Sequence, residues 1–300
     1  MKYKLLLLML LSSILSLPKD SFSQSSMEEN YKIYDTRTKQ IVAIDKIVAD
    51  CANAGVLFFG EEHNDSVCHY LEAEIFKALY KKFGDKITLS LEMFETDNQL
   101  ALNEYLGGFI NEDRLTKDVR LWGNYKDYRP MIEYAKANHI TVIAANAPRR
   151  YVNMVSRRGM RSLDSLSKDA KKFLPPLPYD TLTGRYREKF MDIMKGSPGG
   201  DNPRIYHSQS LWDAGMSYSI YKYWKKHKGY KIFHCVGGFH TAEKLGTAAQ
   251  LQRRNKKIKI LNIATVSDPS FNSTDAQAWE KFSSLGDYVL ITNPDLKKTF

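Results

Sequence analysis

The chain has 300 residues and a formal net charge of +10, with 44 lysines and arginines against 34 aspartates and glutamates. This length allows a large buried core, as a single domain or as a domain with a substantial insertion. The basic residues are spread along the chain, and the sequence has neither zinc-finger spacing nor an aromatic RNA-binding motif, which argues against nucleic acid as a partner. The positive charge instead favours anionic ligands.

The amino terminus has the pattern of a secretory signal peptide. Lys2 and Lys4 precede the apolar run Leu5–Leu17, and small and polar residues follow up to Gln24. The apolar run has 13 residues, fewer than the roughly 20 that span a bilayer. We therefore expect a signal peptide at residues 1–23, export of residues 24–300, and a periplasmic or envelope-associated protein.

The three cysteines are Cys51, Cys68 and Cys235, so at most one intramolecular disulfide can form. Cys235 lies inside an apolar run and is expected to be a buried thiol. No cysteine stands where a lipoprotein would carry its lipobox. The sequence therefore predicts no lipid anchor.

Short apolar runs alternate with helical patterns. Runs of this kind are typical of strands buried on both faces of a parallel sheet, and they lie at 56–60, 87–91, 140–145, 231–236, 258–263 and 288–291. Helical patterns at 67–83, 97–109 and 128–138 provide the crossovers between the first three strands. The predicted fold class is α/β, with a mostly parallel sheet flanked by helices.

The interval from Arg149 to Lys228 breaks this alternation with several helical stretches and a proline-rich corner. We interpret it as a smaller helical subdomain, at about 149–228, over the carboxyl ends of the strands. Its last helix is predicted at about 205–224. The whole of 24–300 is then one α/β domain with this subdomain inserted.

Polar side chains follow four of the predicted strands. Glu61, Glu62 and His63 follow the first, Glu92 the second, and His240 the strand that starts at Lys231; Asn146 and Arg149 follow the third. Ligands of open α/β sheets bind outside the carboxyl ends of the strands. A single histidine there is more often a hydrogen-bonded cap, but the coincidence of several favours a functional pocket.

Imidazole and carboxylate are ligands for transition metals, so His63, Glu92 and His240 are candidate metal ligands. Glu61, Glu62 and Glu92 are candidates to bind the metal, to orient the histidines or, in a hydrolase, to activate water. His69 falls early in the next helix and is a further candidate for the same pocket.

Gln209 and Asp213 are four residues apart and share one helix face. A buried Asp213 needs a partner, for which Arg149 is a candidate, whereas Trp212 and Met216 are expected in the core. Exported haem-binding proteins often hold iron with phenolate or imidazole and the propionates with arginine. Four tyrosines flank the expected pocket, and the sequence does not choose among them: Tyr125, Tyr128, Tyr151 and Tyr206.

Several familiar catalytic motifs are absent from the sequence. It contains no H-E-x-x-H, no G-x-S-x-G, no Walker loop and no Rossmann glycine set. The absence of C-x-x-C-H excludes covalently attached c-type haem.

An ordered series of motifs between Val56 and Val266 resembles the ChaN family, iron-regulated haem-binding proteins of the cell envelope that are grouped with the Tiki proteases and erythromycin esterases. The series is Phe59-Gly-Glu-Glu-His-Asn64 with His69, Leu91-Glu-Met-Phe94, Trp122 to Pro130, Ala145-Asn-Ala-Pro-Arg149, Gln209-Ser-Leu-Trp-Asp213 and Gly237-Gly-Phe-His240. The family's Gly-Glu-x-His element falls on Gly60, Glu61 and His63, and its Gly-x-x-His element on Gly237 and His240.

The resemblance implies a non-covalent haem pocket between the α/β core and the helical subdomain, with His63, His69, Arg149, Gln209, Asp213 and His240 as candidate haem-binding residues. It also implies a homodimer and an outer-membrane haem or iron receptor as candidate partners. Many family members are lipoproteins, so the missing lipobox puts membrane attachment in doubt. Two functions stay open: a haem-binding protein for iron acquisition, or a metal-dependent hydrolase of the Tiki kind that uses zinc or manganese. A third alternative is an envelope domain whose site is degenerate.

Overall fold

The computed structural model describes residues 27–197 and 199–300. The predicted signal peptide at residues 1–23 lies outside the described residues. Among the residues that are described, no helix is both long enough and apolar enough to cross a membrane.

An eight-stranded sheet forms the centre of the described chain. Its strands are β1 (Tyr31–Asp35), β2 (Gln40–Val42), β3 (Val56–Glu61), β4 (Ile87–Glu95), β5 (Val142–Asn146), β6 (Lys231–Gly237), β7 (Ile260–Ser267) and β8 (Tyr288–Thr292). Across the sheet their order is β2-β1-β8-β7-β3-β6-β4-β5. The six strands from β8 to β5 are parallel, and β1 pairs antiparallel with both β2 and β8. The predicted mostly parallel α/β fold is confirmed.

Helices cover both faces of the sheet. In the described residues they are α1 (Ile44–Cys51), α2 (Ser66–Phe83), α3 (Gln99–Leu106), α4 (Glu112–Asp118), α5 (Tyr125–Ala137), α6 (Arg149–Arg158), α7 (Lys168–Lys171), α8 (Arg185–Met194), α9 (Pro203–Lys226) and α10 (Gly246–Arg254). Between β5 and β6 the described chain is helical and contains no strand. Short 3₁₀ turns include Gly238–His240, directly after β6.

Strand β3 shows why the central strands are almost continuously apolar. All six of its residues are buried, because successive side chains point to opposite faces of the sheet and each face has a helical cover. Leu57 and Phe59 pack in the core cluster that contains the α2 side chains. Val56 and Phe58 pack on the other face, in the cluster with residues of α9 and α10.

The connections that leave β3 and β6, the two central strands, run in opposite directions across the sheet. From β3 the chain passes through α2 to β4, whereas from β6 it passes through α10 to β7 on the other side of β3. Adjacent parallel strands whose connections diverge create a crevice at their carboxyl ends, which is where such sheets bind ligands. The crevice here lies between the residues that follow Glu61 and those that follow Gly237, which are register partners.

The structure adds elements that the sequence did not predict. Strands β1 and β2 and helix α1 were not predicted, and β4 extends four residues beyond Leu91 because its pairing with β5 shifts register and resumes at Glu95. All three cysteines are free and buried, so the prediction of a buried thiol at Cys235 is confirmed.

His234, in the middle of β6, is a buried histidine with a structural role. Its Nδ1 lies 2.9 Å from Ser90 Oγ, and its ring packs edge-on against Phe58. Burial lowers the pKa of His234 to about 3, so the folded chain holds this ring neutral. In the unfolded chain this histidine has an ordinary pKa of about 6.5. The contribution of the neutral His234 ring to the unfolding free energy is therefore fully present above that pH and is lost as the pH falls towards 3.

We expect His234→Gln to reduce the acid sensitivity of folding. Between pH 6 and 4 the unmodified chain should lose about 1.4 kcal/mol of unfolding free energy per pH unit more than the variant, since its unfolding takes up one additional proton. Urea unfolding at several pH values measures the difference. His139→Asn, at an exposed histidine, is the matched control; equal slopes for the unmodified chain and His234→Gln would contradict the prediction.

Candidate functional site

The carboxyl ends of β3, β4, β5 and β6 surround a cavity of about 860 Å³. Its wall includes His63, Glu92 and His240, which the sequence placed at three different strand ends. Its other lining residues are Glu95, Leu121, Trp122, Gly123, Asn124, Asn146, Ala147, Arg149, Trp212 and Phe300. The end-of-strand residues therefore do meet in one cavity.

His63 is held by the last residue of β3. Its Nδ1 lies 2.6 Å from Glu61 Oε1, which also accepts a hydrogen bond of 2.8 Å from the Tyr128 hydroxyl. The Asn124 amide donates to the His63 carbonyl over 3.1 Å, and the Trp122 ring packs edge-on against the imidazole. With Nδ1 engaged by a carboxylate, the Nε2 edge is left to face a ligand.

Burial and the charge of Glu72 raise the pKa of Glu61 to about 8. Burial opposes protonation of His63, but the hydrogen bond to Glu61 and the surrounding carboxylates outweigh it and raise the pKa of His63 to about 9. Both shifts favour a proton in the Glu61–His63 hydrogen bond at neutral pH.

His240 has a corresponding carboxylate partner on α9. Its Nδ1 lies 2.7 Å from Asp213 Oδ1, which also accepts from the Thr247 hydroxyl over 2.8 Å. The Tyr186 hydroxyl donates to the other oxygen of Asp213 over 2.6 Å. Burial opposes protonation of His240, but the charges of Asp213 and Glu92 outweigh it, so the pKa of His240 is raised.

The prediction that Arg149 pairs with Asp213 is wrong. Arg149 does not pair with it: the Arg149 guanidinium and backbone amide both donate to Glu95. Asp213 faces the interior between α8, α9 and α10, whereas Arg149 starts α6 at the rim of the cavity. Met216 is a core residue as expected, while Trp212 is partly exposed and lines the cavity.

Glu92 lies between the two histidines. One carboxylate oxygen accepts the Gly237 amide over 2.7 Å, and the other lies 3.6 Å from His240 Nε2. A Cβ atom on Gly237 would stand 2.7 Å from His63 Nε2 and 3.6 Å from Glu92 Oε2. Glycine at 237 is therefore what allows the His63 ring to lie beside Glu92.

The other candidate residues have different positions. His69 is buried behind His63, with Nε2 3.1 Å from the His63 carbonyl, and is not one of the cavity's lining residues. Glu62 lines a neighbouring cavity of about 750 Å³ that shares His63 and His240 with the first. The Gln209 amide donates to the Tyr186 hydroxyl over 3.2 Å and lies 3.3 Å from the His240 ring.

Arginines form one rim of the site. Glu95 pairs with Arg120 and Arg149, and Asp97 pairs with Arg120 and Arg150. The three arginine side chains are 40 to 51% exposed and border a third cavity, of about 750 Å³, whose other walls are largely apolar. Glu95 and Arg120 were missed from the sequence, although Glu95 would have been found by the end-of-strand rule had β4 been predicted at its full length.

The four tyrosines singled out in the sequence have other partners. Tyr128 bonds Glu61, Tyr125 bonds Glu112, and the Tyr206 hydroxyl donates to the Leu182 carbonyl. Tyr151 lies under the Arg150 guanidinium. None of the four is among the lining residues of the 860 Å³ cavity.

Fold and site together define a parallel α/β protein with a histidine and carboxylate pocket at its topological switch point. The chain belongs to the haem-binding uptake family ChaN of the Tiki superfamily, whose family profile matches residues 47–251.

A solved relative shares the fold over most of the chain. A ChaN of Campylobacter jejuni, solved as a structure of cofacial haem binding, superimposes with a TM-score of 0.65 at 19% identity, over 88% of this chain and 97% of that one. An erythromycin esterase superimposes with a TM-score of 0.46 at 11% identity, over 88% and 83%. Protein RETICULATA-RELATED 5, a chloroplastic protein of Arabidopsis thaliana, is 28% identical over 142 residues, which are 44% of this chain and 19% of that protein. The chain thus spans about a fifth of the length of that relative.

We expect Asp213→Asn to destabilise the fold and to lower the pKa of His240. Removing one partner of a buried charged pair costs roughly 3 kcal/mol or more of unfolding free energy, and an amide nitrogen cannot accept the Tyr186 or Thr247 hydroxyl proton. Denaturant unfolding and an NMR titration of His240 measure the two effects. Asp180→Asn, at an exposed pair with Arg253, should change stability by less than about 1 kcal/mol; similar losses in both variants would argue against the Asp213 network.

Proposed function

We propose that this chain is an exported haem-binding protein that serves haem and iron acquisition in the bacterial cell envelope. Haem would be held non-covalently between the α/β core and the helical region that starts at Arg149, the subdomain predicted at about 149–228. Membership of the ChaN family supports haem as the ligand. The observation that carries the proposal is a cavity that combines an imidazole, apolar walls and an arginine rim.

The residues of the cavity fit haem. Trp122, Trp212 and Leu121 offer apolar surface to a porphyrin ring, and the cavity volume of about 860 Å³ lies within the range of cofactor sites, about 300 to 1,000 Å³. Each guanidinium has five N–H donors, so Arg149 can hold Glu95 and still bind an anionic propionate. When bound, haem would supply a redox-active iron centre.

Among the histidines of the site, His63 is best placed to bind iron. Its side chain is 39% exposed, and Glu61 fixes Nδ1. His240 and His69 are buried, with 9% and 6% of their side chains exposed, and both have a carboxylate at Nδ1. Glu61 would orient the His63 ring and increase its basicity, as carboxylates do behind histidine ligands.

The same geometry supports a second function, a metal-dependent hydrolase. His63 and His240 each have a carboxylate at Nδ1, and His240 Nε2 lies 3.6 Å from Glu92; a carboxylate behind each imidazole is the usual setting of histidine ligands to zinc or manganese. Glu92 would be the third ligand or the base that activates water, while Glu62 lines the adjoining cavity. The Glu61 carboxylate is buried and bonded to His63, which suits it to orient that histidine.

A haemin titration of the purified, metal-free chain tests the proposal. We expect a saturable, red-shifted Soret band, and at least about tenfold weaker binding in His63→Ala, because the variant lacks the proposed ligand. The matched control His139→Ala, at an exposed histidine, should bind haemin as the unmodified chain does.

Elemental analysis of the protein as purified, before its metals are removed for the titration, separates the two functions. Tightly held zinc or manganese together with non-saturable haemin uptake would overturn the haem proposal and favour the hydrolase. Saturable haemin binding that His63→Ala leaves unchanged would overturn the assignment of His63 while supporting haem binding.

Two features of the sequence support export and uptake. Residues 1–23 have the signal-peptide pattern, and the net positive charge suits an anionic ligand such as haem. An outer-membrane haem or iron receptor would supply the ligand. A homodimer would allow two haems to stack, in keeping with the cofacial haem binding of the Campylobacter jejuni ChaN.

Export predicts a processed amino terminus. When the full gene is expressed in a Gram-negative host, amino-terminal sequencing of the periplasmic protein should begin at Gln24. Lys4→Glu combined with Leu8→Arg, which disrupts the signal pattern, should leave the chain in the cytoplasm. Recovery of the unmodified protein in the cytoplasm with Met1 in place would contradict export.

A further inference from the structure

A second group of potential ligands lies in the interior behind His63, and none of its three members lines the 860 Å³ cavity. It consists of Glu61 at the end of β3 and of His69 and Glu72, one turn apart on α2. We propose that these three side chains form a buried site for one divalent transition-metal ion, whose ligands include neither His63 nor His240 of the pocket.

The donor atoms are spaced as around a single ion. His69 Nδ1 lies 3.1 Å from Glu72 Oε2 and 3.5 Å from Glu61 Oε2. One potential ligand atom of each residue lies within 4.8 Å of those of the other two. Ligands of an ion with bonds of about 2.1 Å are separated by about 3.0 to 3.4 Å in octahedral or tetrahedral geometry; the Glu72 distance lies within this range and the Glu61 distance just above it.

Hydrogen bonds alone do not satisfy this cluster. Glu61 Oε2 and Glu72 Oε1 are buried, and neither accepts a hydrogen bond from the described residues. Both side chains have no exposed surface. Two ionised carboxylates would be costly in this position, so either a cation or protons must neutralise their charge.

The orientation of His69 favours a cation. Its Nε2 lies 3.1 Å from the His63 carbonyl, a contact that requires the proton on that nitrogen. In the neutral ring Nδ1 then carries a lone pair, and this lone pair faces the two carboxylate oxygens. One proton on Nδ1 would satisfy Glu72 Oε2 alone, whereas one metal ion accepts electron pairs from all three residues.

The remaining polar atoms of Glu61 and His69 make hydrogen bonds of the kind that support metal ligands. The second oxygen of Glu61 accepts from Tyr128 and from His63, and the second nitrogen of His69 donates to a backbone carbonyl. Such contacts orient the ligands of a bound metal. A ligand set of two carboxylates and one imidazole suits manganese, iron or zinc in the divalent state better than calcium or copper.

Manganese is a suitable probe because EPR spectroscopy detects Mn²⁺ directly. Titrated with Mn²⁺, the purified chain without haem should bind one equivalent, and Glu72→Gln should bind it at least about a hundredfold more weakly, more than is usual for loss of an outer contact. Glu74→Gln, a carboxamide change at a partly exposed position of the same helix, should leave Mn²⁺ binding unchanged. So should Glu92→Gln, which alters the pocket instead.

A second measurement remains informative if Glu72→Gln does not fold. Nitrogen couplings in the pulsed EPR spectrum of bound Mn²⁺ count the histidine ligands: the proposed site gives one imidazole nitrogen, whereas an ion between His63 and His240 gives two. One coupled nitrogen supports the buried site. Two coupled nitrogens would overturn the proposal, as would loss of Mn²⁺ binding in Glu92→Gln but not in Glu72→Gln. A folded chain that binds no Mn²⁺ would also overturn it, by showing that protons neutralise the cluster.

Discussion

A carboxylate buried at the end of a strand must have its charge compensated within the protein, and Glu61 imposes this requirement at the centre of the sheet. One of its oxygens receives Tyr128 and His63, which fixes the imidazole at the cavity wall. The other faces His69 of α2. Helix α5, helix α2 and the loop after β3 are thus positioned around one side chain, and the pocket and the interior cluster share it.

The two histidines of the pocket have similar surroundings. Each histidine follows a central strand, and each has a carboxylate behind Nδ1, from the same strand for His63 and from α9 for His240. Glu92 contacts the backbone between them. A carboxylate at Nδ1 orients an imidazole equally well for binding haem iron and for binding a metal ion. The same arrangement therefore fits both functions, and only measurement of the bound ligand distinguishes them.

The sequence predicted the part of the structure that depends on local pattern. The six parallel strands are marked by their apolar runs, and His63, Glu92 and His240 follow from the rule that parallel strands end at one edge. Strands β1 and β2 were missed because both are short, and the first two residues of β1 and all of β2 are not fully buried. The pairings of Asp213 and Arg149 were predicted wrongly, because partners distant in sequence are chosen by tertiary packing that no local pattern encodes.

The position of β6 in the sheet has a consequence for folding. This strand lies between β3 and β4, yet the chain reaches it only after β4, β5 and the helices from α3 to α9 have passed. The two central strands that carry His63 and His240 can therefore meet only late, through contacts of long sequence separation, which fold slowly because the loop must close first. A chain that stops short of Gly237 contains His63 and Glu92 but lacks the strand end that forms the other side of the crevice, so ligand capture reports that β6 has joined the sheet.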